Sequence, residues 1–110
     1  VNWFTRRRAD PLTGRWVIDP SDISAVAELG HVEIEFNRGR LRYEIHLADR
    51  KQVMLMTYRV EGDVLVTDQP SHLKPERTAF ALQGDALTLA FGGVSSRFLR
   101  RQASSRAALT

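Results

Sequence analysis

Two strictly alternating stretches joined by a glycine turn constrain this chain more than any other feature. In "HVEIEFN" (31–37), Val32, Ile34 and Phe36 share one side, with His31, Glu33, Glu35 and Asn37 on the other. "RLRYEIHL" repeats the pattern, with Leu41, Tyr43, Ile45 and Leu47 set against Arg40, Arg42, Glu44 and His46. Period two over this length identifies half-buried antiparallel strands. The intervening "NRGR" suits a tight hairpin. Pairing Phe36 with Leu41 brings both apolar rows to one face and sets Glu35 opposite Arg42, a register consistent on both faces.

The same logic extends along the chain. "YRVEGDVLVT" (58–67) and "FALQGDALTL" (80–89) share the order aromatic, apolar, Gly-Asp, Leu, and each reads as a hairpin turning at its Gly-Asp pair. Eight strands are expected, near 14–18, 31–37, 40–48, 52–60, 64–68, 76–82, 86–91 and 94–101. From the second strand onward the links are short, except for "QPSHLKPE" (69–76), so neighbours in sequence should be neighbours in space. An all-β up-and-down meander of eight strands can close into a barrel and so remove its free edges. A strongly bent open sheet is the structural alternative. "DPSDISAVAELG" is the single helical candidate, with Asp19 as cap, Pro20 in the first turn, Gly30 as stop, and Ile23, Val26 and Ala27 on one face.

At 110 residues the chain fits one domain with a real core. An arm (1–11), a barrel (12–101) and a tail (102–110) are the expected parts. No apolar run is long enough for a membrane helix, and the first residues lack the pattern of a signal peptide. With no cysteine there is no disulfide, thiolate nucleophile or thiolate metal site, which fits a reducing compartment, and a cytoplasmic location is expected. The net charge of +3 owes much to arginines near the ends: Arg6, Arg7 and Arg8, and Arg97, Arg100, Arg101 and Arg106. Acidic residues beside the other basic positions argue against a nucleic-acid surface.

Against this background "LTGRW" gains a context. Gly14-X-Trp16 on the first strand, an eight-strand meander and arginines on the last strand resemble the calycin superfamily, which includes the lipocalins. The nearer likeness is to small bacterial lipocalin-like domains, with their "TYRVEGDVL … GDALTL" cadence. The resemblance covers roughly residues 12–101 and implies a barrel-end plug in which a last-strand arginine lies across Trp16. Arg100 shares parity with Val94 and Phe98 and is the expected partner, with Arg97 the second choice. "LTGRW" is also similar to the opening of the avidin family, but the tryptophan and polar set that would hold biotin has no counterpart. The strands are shorter than in true lipocalins, so a barrel filled by its own side chains competes with one that holds a ligand.

Two non-enzymatic uses are expected, one implied by the resemblance and one read from residue parity. The inward face carries few polar atoms, so the resemblance implies a small apolar ligand held near Tyr43, Tyr58, Thr67 and Phe80, beside the 68–76 loop. The outward row Val53, Leu55, Val64 and Val66, continued by Ala79, Ala81, Ala86 and Ala90, is unexpectedly apolar and would suit a homodimer of filled barrels. The helix or Trp3 and Phe4 of the arm are alternative covers for that row. No catalytic residues are assigned. Asp68, Ser71 and His72 lie close in sequence, without the nucleophile elbow or oxyanion glycines of a serine hydrolase. No cofactor is expected. No metal site is expected either: the three histidines lack ligand spacing, although His31 and His46 become cross-strand neighbours in the hairpin register.

Overall fold

The computed structural model describes residues 10–71, 73–91 and 93–101, and of Phe91 only the backbone. Trp3, Phe4, Arg6, Arg7, Arg8, His72 and Arg106 fall outside the described residues.

Eight strands form a closed antiparallel barrel in simple sequential order. They are β1 (Gly14–Ile18), β2 (His31–Asn37), β3 (Arg40–His46), β4 (Lys51–Glu61), β5 (Val64–Asp68), β6 (Glu76–Gln83), β7 (Ala86–Phe91) and β8 (Val94–Arg100). The β2–β3 hairpin takes the register that the alternating residues dictate, with Phe36 opposite Leu41 and Glu35 opposite Arg42. Arg38 and Gly39 both have positive φ, 51° and 80°, at its tip. That pair of angles is the twist-matched turn that "NRGR" signals. The barrel closes where β8 meets β1, with Trp16 opposite Arg100 and Ile18 opposite Phe98.

Inward rows can be read straight across the strands. Trp16, Ile34 and Tyr43 form one, and Phe36, Leu41 and Met56 another. Leu82, Leu87, Phe98 and Ile18 form a third that runs through the closing seam. Trp16, Phe36, Leu65, Leu87, Leu89 and Phe98 are fully buried. Thr67, Thr78 and Ser96 add buried hydroxyls from β5, β6 and β8.

One short helix, α1 (Ile23–Leu29), lies between β1 and β2. Its cap is Asp22 rather than Asp19: Asp22 accepts from Ala25 N, and also from Arg97 N on β8. Asp19 is occupied one turn earlier, accepting from the amide and hydroxyl of Ser21 and lying 3.7 Å from Arg97 Nε. The helix therefore starts after Asp22, and its phase rotates. Ala25, Val26 and Leu29 meet the core, while Ile23 is 77% exposed. The expected face of Ile23, Val26 and Ala27 is corrected accordingly. Leu47, expected to face inward on β3, instead lies in the β3–β4 turn and is exposed.

Candidate functional site

One end of the barrel is locked by residues from both termini of the fold. The Trp16 indole is fully buried and its Nε1 donates to the Leu12 carbonyl at 2.9 Å. Across it lies Arg100, its guanidinium carbon 4.2 Å from the ring centroid. Arg100 also donates to the carbonyls of Thr13 (2.9 Å) and Pro11 (3.2 Å), and its Nε to Asp85 in the β6–β7 turn (3.2 Å). A cation held over an aromatic face with its N–H groups satisfied gains from both contacts. Gly14 makes room for this arrangement. Its φ is +126°, and a Cβ there would lie 3.1 Å from Nη1 of Arg100. Arg97 points elsewhere, toward Asp19 beside the helix.

Asp10, grouped with the arm on sequence, is the residue that the sequence reading missed at this end. Its carboxylate accepts from Leu12 N at 2.8 Å and from the Tyr58 hydroxyl, and its carbonyl accepts from Thr13 N. The "DP" dipeptide before "LTG" is the signal for that turn.

The four residues expected to hold a ligand inside the barrel occupy different surroundings. Tyr58 is buried with its ring edge-on to Phe36, centroids 4.9 Å apart, and its hydroxyl is held by Asp10. Tyr43 is buried opposite Ile34, and that burial holds its hydroxyl above the usual phenol range. Thr67 is buried opposite Tyr58, whereas Phe80 is half-buried opposite Leu89.

Burial, together with the acceptor and charge of Asp10, pushes the Tyr58 phenol well above its ordinary value. The fold thus favours the neutral phenol. Its contribution is complete below the unfolded-chain value near pH 10 and is lost as the pH rises beyond it. Denaturant unfolding between about pH 9 and pH 11 should show a steeper loss of stability for wild type than for Tyr58→Phe. Equal slopes would refute this coupling. Three carboxylates act in the opposite direction. Asp19 is lowered chiefly by the Ser21 hydrogen bonds, Glu44 by Arg42, and Glu61 by Arg59 and Arg77. Their stabilisation is present above the ordinary carboxylate range and fades as the pH falls through their lowered values.

The outer face of β2–β4 carries two adjoining clefts. The larger, about 520 Å³, has Leu41, Leu55 and Met56 as its apolar lining, with Asn37, Arg40, Thr57, Asp68 and Gln69 among its polar residues. The second, about 430 Å³, is charged, with Arg15, Glu33, Glu44 and Lys51 around it. Glu35 and Arg42 border both. Arg15 lies 3.8 Å from Glu35, and Arg42 pairs with Glu44. None of Tyr43, Tyr58, Thr67 and Phe80 lines either cleft.

The expected apolar row across the exterior is interrupted. Val53 and Leu55 are exposed, at 39% and 65%, and Val64 is half-buried. Val66 is only 2% exposed and stands between Arg59 and Arg77, whose head groups converge on Glu61. Charged side chains flank this valine on both neighbouring strands, and Val66 is already buried within a single copy of the chain. On the first half of β4 the apolar exposure is continuous, because Met54, 38% exposed, joins Val53 and Leu55.

His31 and His46 do meet, with ring centroids 5.4 Å apart. Nε2 of His46 is buried, 3.3 Å from Glu44 and 3.6 Å from Glu33, without hydrogen-bond geometry to either. Among the described residues no group of three or more potential ligands could hold a metal ion, and no helix is long and apolar enough to cross a membrane.

These features define a closed, eight-stranded, all-antiparallel meander barrel with one helix and a Trp–Arg lock at one end. No family model matches the chain, and no curated protein or solved structure matches it.

Proposed function

We propose that this chain is a non-enzymatic, lipocalin-like barrel that binds a small, largely apolar molecule in the larger outer cleft rather than inside the barrel. The observation that carries this reading is the cleft itself: about 520 Å³, with the exposed Leu55 and Pro70 supplying apolar surface beside the buried Leu41 and Met56. That volume lies within the range of small-molecule sites, which combine apolar walls with a few polar groups. Asn37, Thr57 and Gln69 offer neutral donors and acceptors to a polar head group, and Arg40 offers a cation. The interior is a poorer candidate because Tyr58, the expected polar handle, already donates to Asp10. The Trp16–Arg100 stack supports the calycin likeness, in which such a pair closes the end of the barrel.

A fluorescent aromatic sulfonate, 1-anilinonaphthalene-8-sulfonate, combines an apolar body with one anionic group and serves as the probe. Wild type should give a saturable, single-site fluorescence rise. Thr57→Trp, which fills the cleft from an exposed position on β4, should weaken binding about tenfold or more. An unsaturable signal, or equal affinity in the variant, would sink the proposal.

A further inference from the structure

Strand β4 is eleven residues long, but its two edges are not equally used. On one side it pairs with β3 from Lys51 to Thr57; on the other it meets β5 only from Thr57 to Glu61. Among the described residues the stretch Lys51–Met56 therefore has a strand on one side alone. Tyr58 N donates to Gly39 O at 2.9 Å, in line with the β3 ladder. Because backbone direction alternates along a strand, Met56, Met54 and Gln52 also bond toward β3. The N–H and C=O groups of Lys51, Val53 and Leu55 point the other way. Among the described residues no strand pairs with them.

This edge lacks the usual protection. Natural edge strands are blunted by charge, proline or a bulge. Between Lys51 and Arg59 the sequence "QVMLMTY" holds no charge and no proline, and the β3 ladder runs through it without a bulge. Val53, Met54 and Leu55 are all exposed, so both faces of the edge are apolar.

We infer that the occupant of this edge is a second copy of the chain, paired antiparallel through β4 about a two-fold axis at Val53. The edge adjoins the cleft, which Leu55 also lines, and the two readings are tested by separate measurements. The argument is one of register. Centred on Val53, Lys51 stands opposite the partner's Leu55, Val53 opposite the partner's Val53, and Gln52 opposite the partner's Met54. The six backbone groups on each copy that no described strand pairs then find partners, in the narrow pairs of an antiparallel ladder. The one charged side chain, Lys51, lies over an apolar neighbour whose surface its stem can cover. Moving the axis to Lys51 would oppose two like charges. Moving it to Leu55 would call on Thr57, whose free side already pairs with Asp68. A two-fold, self-complementary contact of this kind is the commonest form of homo-oligomer.

Sedimentation of the full chain at rising concentration should show a monomer–dimer equilibrium. Leu55→Lys changes an exposed side chain, leaves the β3 ladder intact and sets two lysines opposite each other, so it should weaken self-association about tenfold or more. The absence of native cysteine gives a second readout. Directly opposed residues in a narrow antiparallel pair have Cα atoms about 5.5 Å apart, within disulfide reach. Mild oxidation should thus link Val53→Cys to itself efficiently, but not Leu55→Cys, which faces the partner's Lys51. A wild type that stays monomeric would overturn the inference, as would equal crosslinking of the two cysteine variants. Binding of the sulfonate probe, with its Thr57→Trp control, reports on the cleft separately.

Discussion

Replacing Trp16 by alanine is expected to lower the stability of the barrel by about 3–5 kcal/mol. The indole is fully buried, and its loss leaves a large void between Leu12, Ile34 and the Arg100 guanidinium. It also strands the Leu12 carbonyl, which accepts the indole N–H, and an unsatisfied buried acceptor carries its own penalty. Arg100 meanwhile loses the ring beneath it while keeping its bonds to Pro11 and Thr13. Urea unfolding followed by circular dichroism would measure the change directly. A near-neutral result would mean that the barrel end is held by the backbone seam between β1 and β8 and not by this side chain.

The second large effect is expected at Gly14. Gly14→Ala should cost about 1–3 kcal/mol from the backbone alone, since φ of +126° is a conformation that side chains rarely adopt. A further cost comes from the new methyl group 3.1 Å from Arg100 Nη1, a tight approach that the guanidinium must relieve by shifting slightly. The two parts separate in a double-mutant cycle. On an Arg100→Ala background the methyl meets no guanidinium, so Gly14→Ala should be milder there than in wild type. Strict additivity would show that the glycine serves backbone geometry only. The Gly14-X-Trp16 spacing then has a physical meaning: the tryptophan is the floor, the arginine the lid, and the glycine the gap that admits the lid.

The fold was largely legible because alternation is a strong signal when one face is buried. His31–Asn37 and Arg40–His46 fixed not only two strands but their register, because a slip by one residue would turn Val32, Ile34 and Phe36 to water. The paired Gly-Asp turns located the next two hairpins, and short links then left a meander as the natural topology. The helix was less readable. Asp19, Ser21 and Asp22 are all plausible caps in sequence, and only the contact with Arg97 on distant β8 decides for Asp22. Parity also overreached on the exterior. It places Val66 on the outer face correctly, but parity says nothing of the arginines on the neighbouring strands, whose positions depend on two registers at once. The larger cleft was invisible for a related reason. It joins β2, β3, β4 and the residues after β5, and no local pattern reports how far β4 runs beyond β5.

The seam between β1 and β8 has a further consequence for how the molecule assembles. Every other neighbouring pair of strands is also adjacent in sequence, so six hairpins and one helix-linked pair can form from local segments. The β1–β8 seam, with the Trp16–Arg100 contact in it, joins the two ends of the meander, and its loop-closure entropy is the largest in the fold. It belongs naturally to the last stage of folding, after the intervening strands have drawn β1 and β8 together. Contacts made that late act mainly on the rate at which the native state is lost. The lock, on this view, is a timekeeper: it sets how long a closed barrel stays closed far more than how quickly it forms.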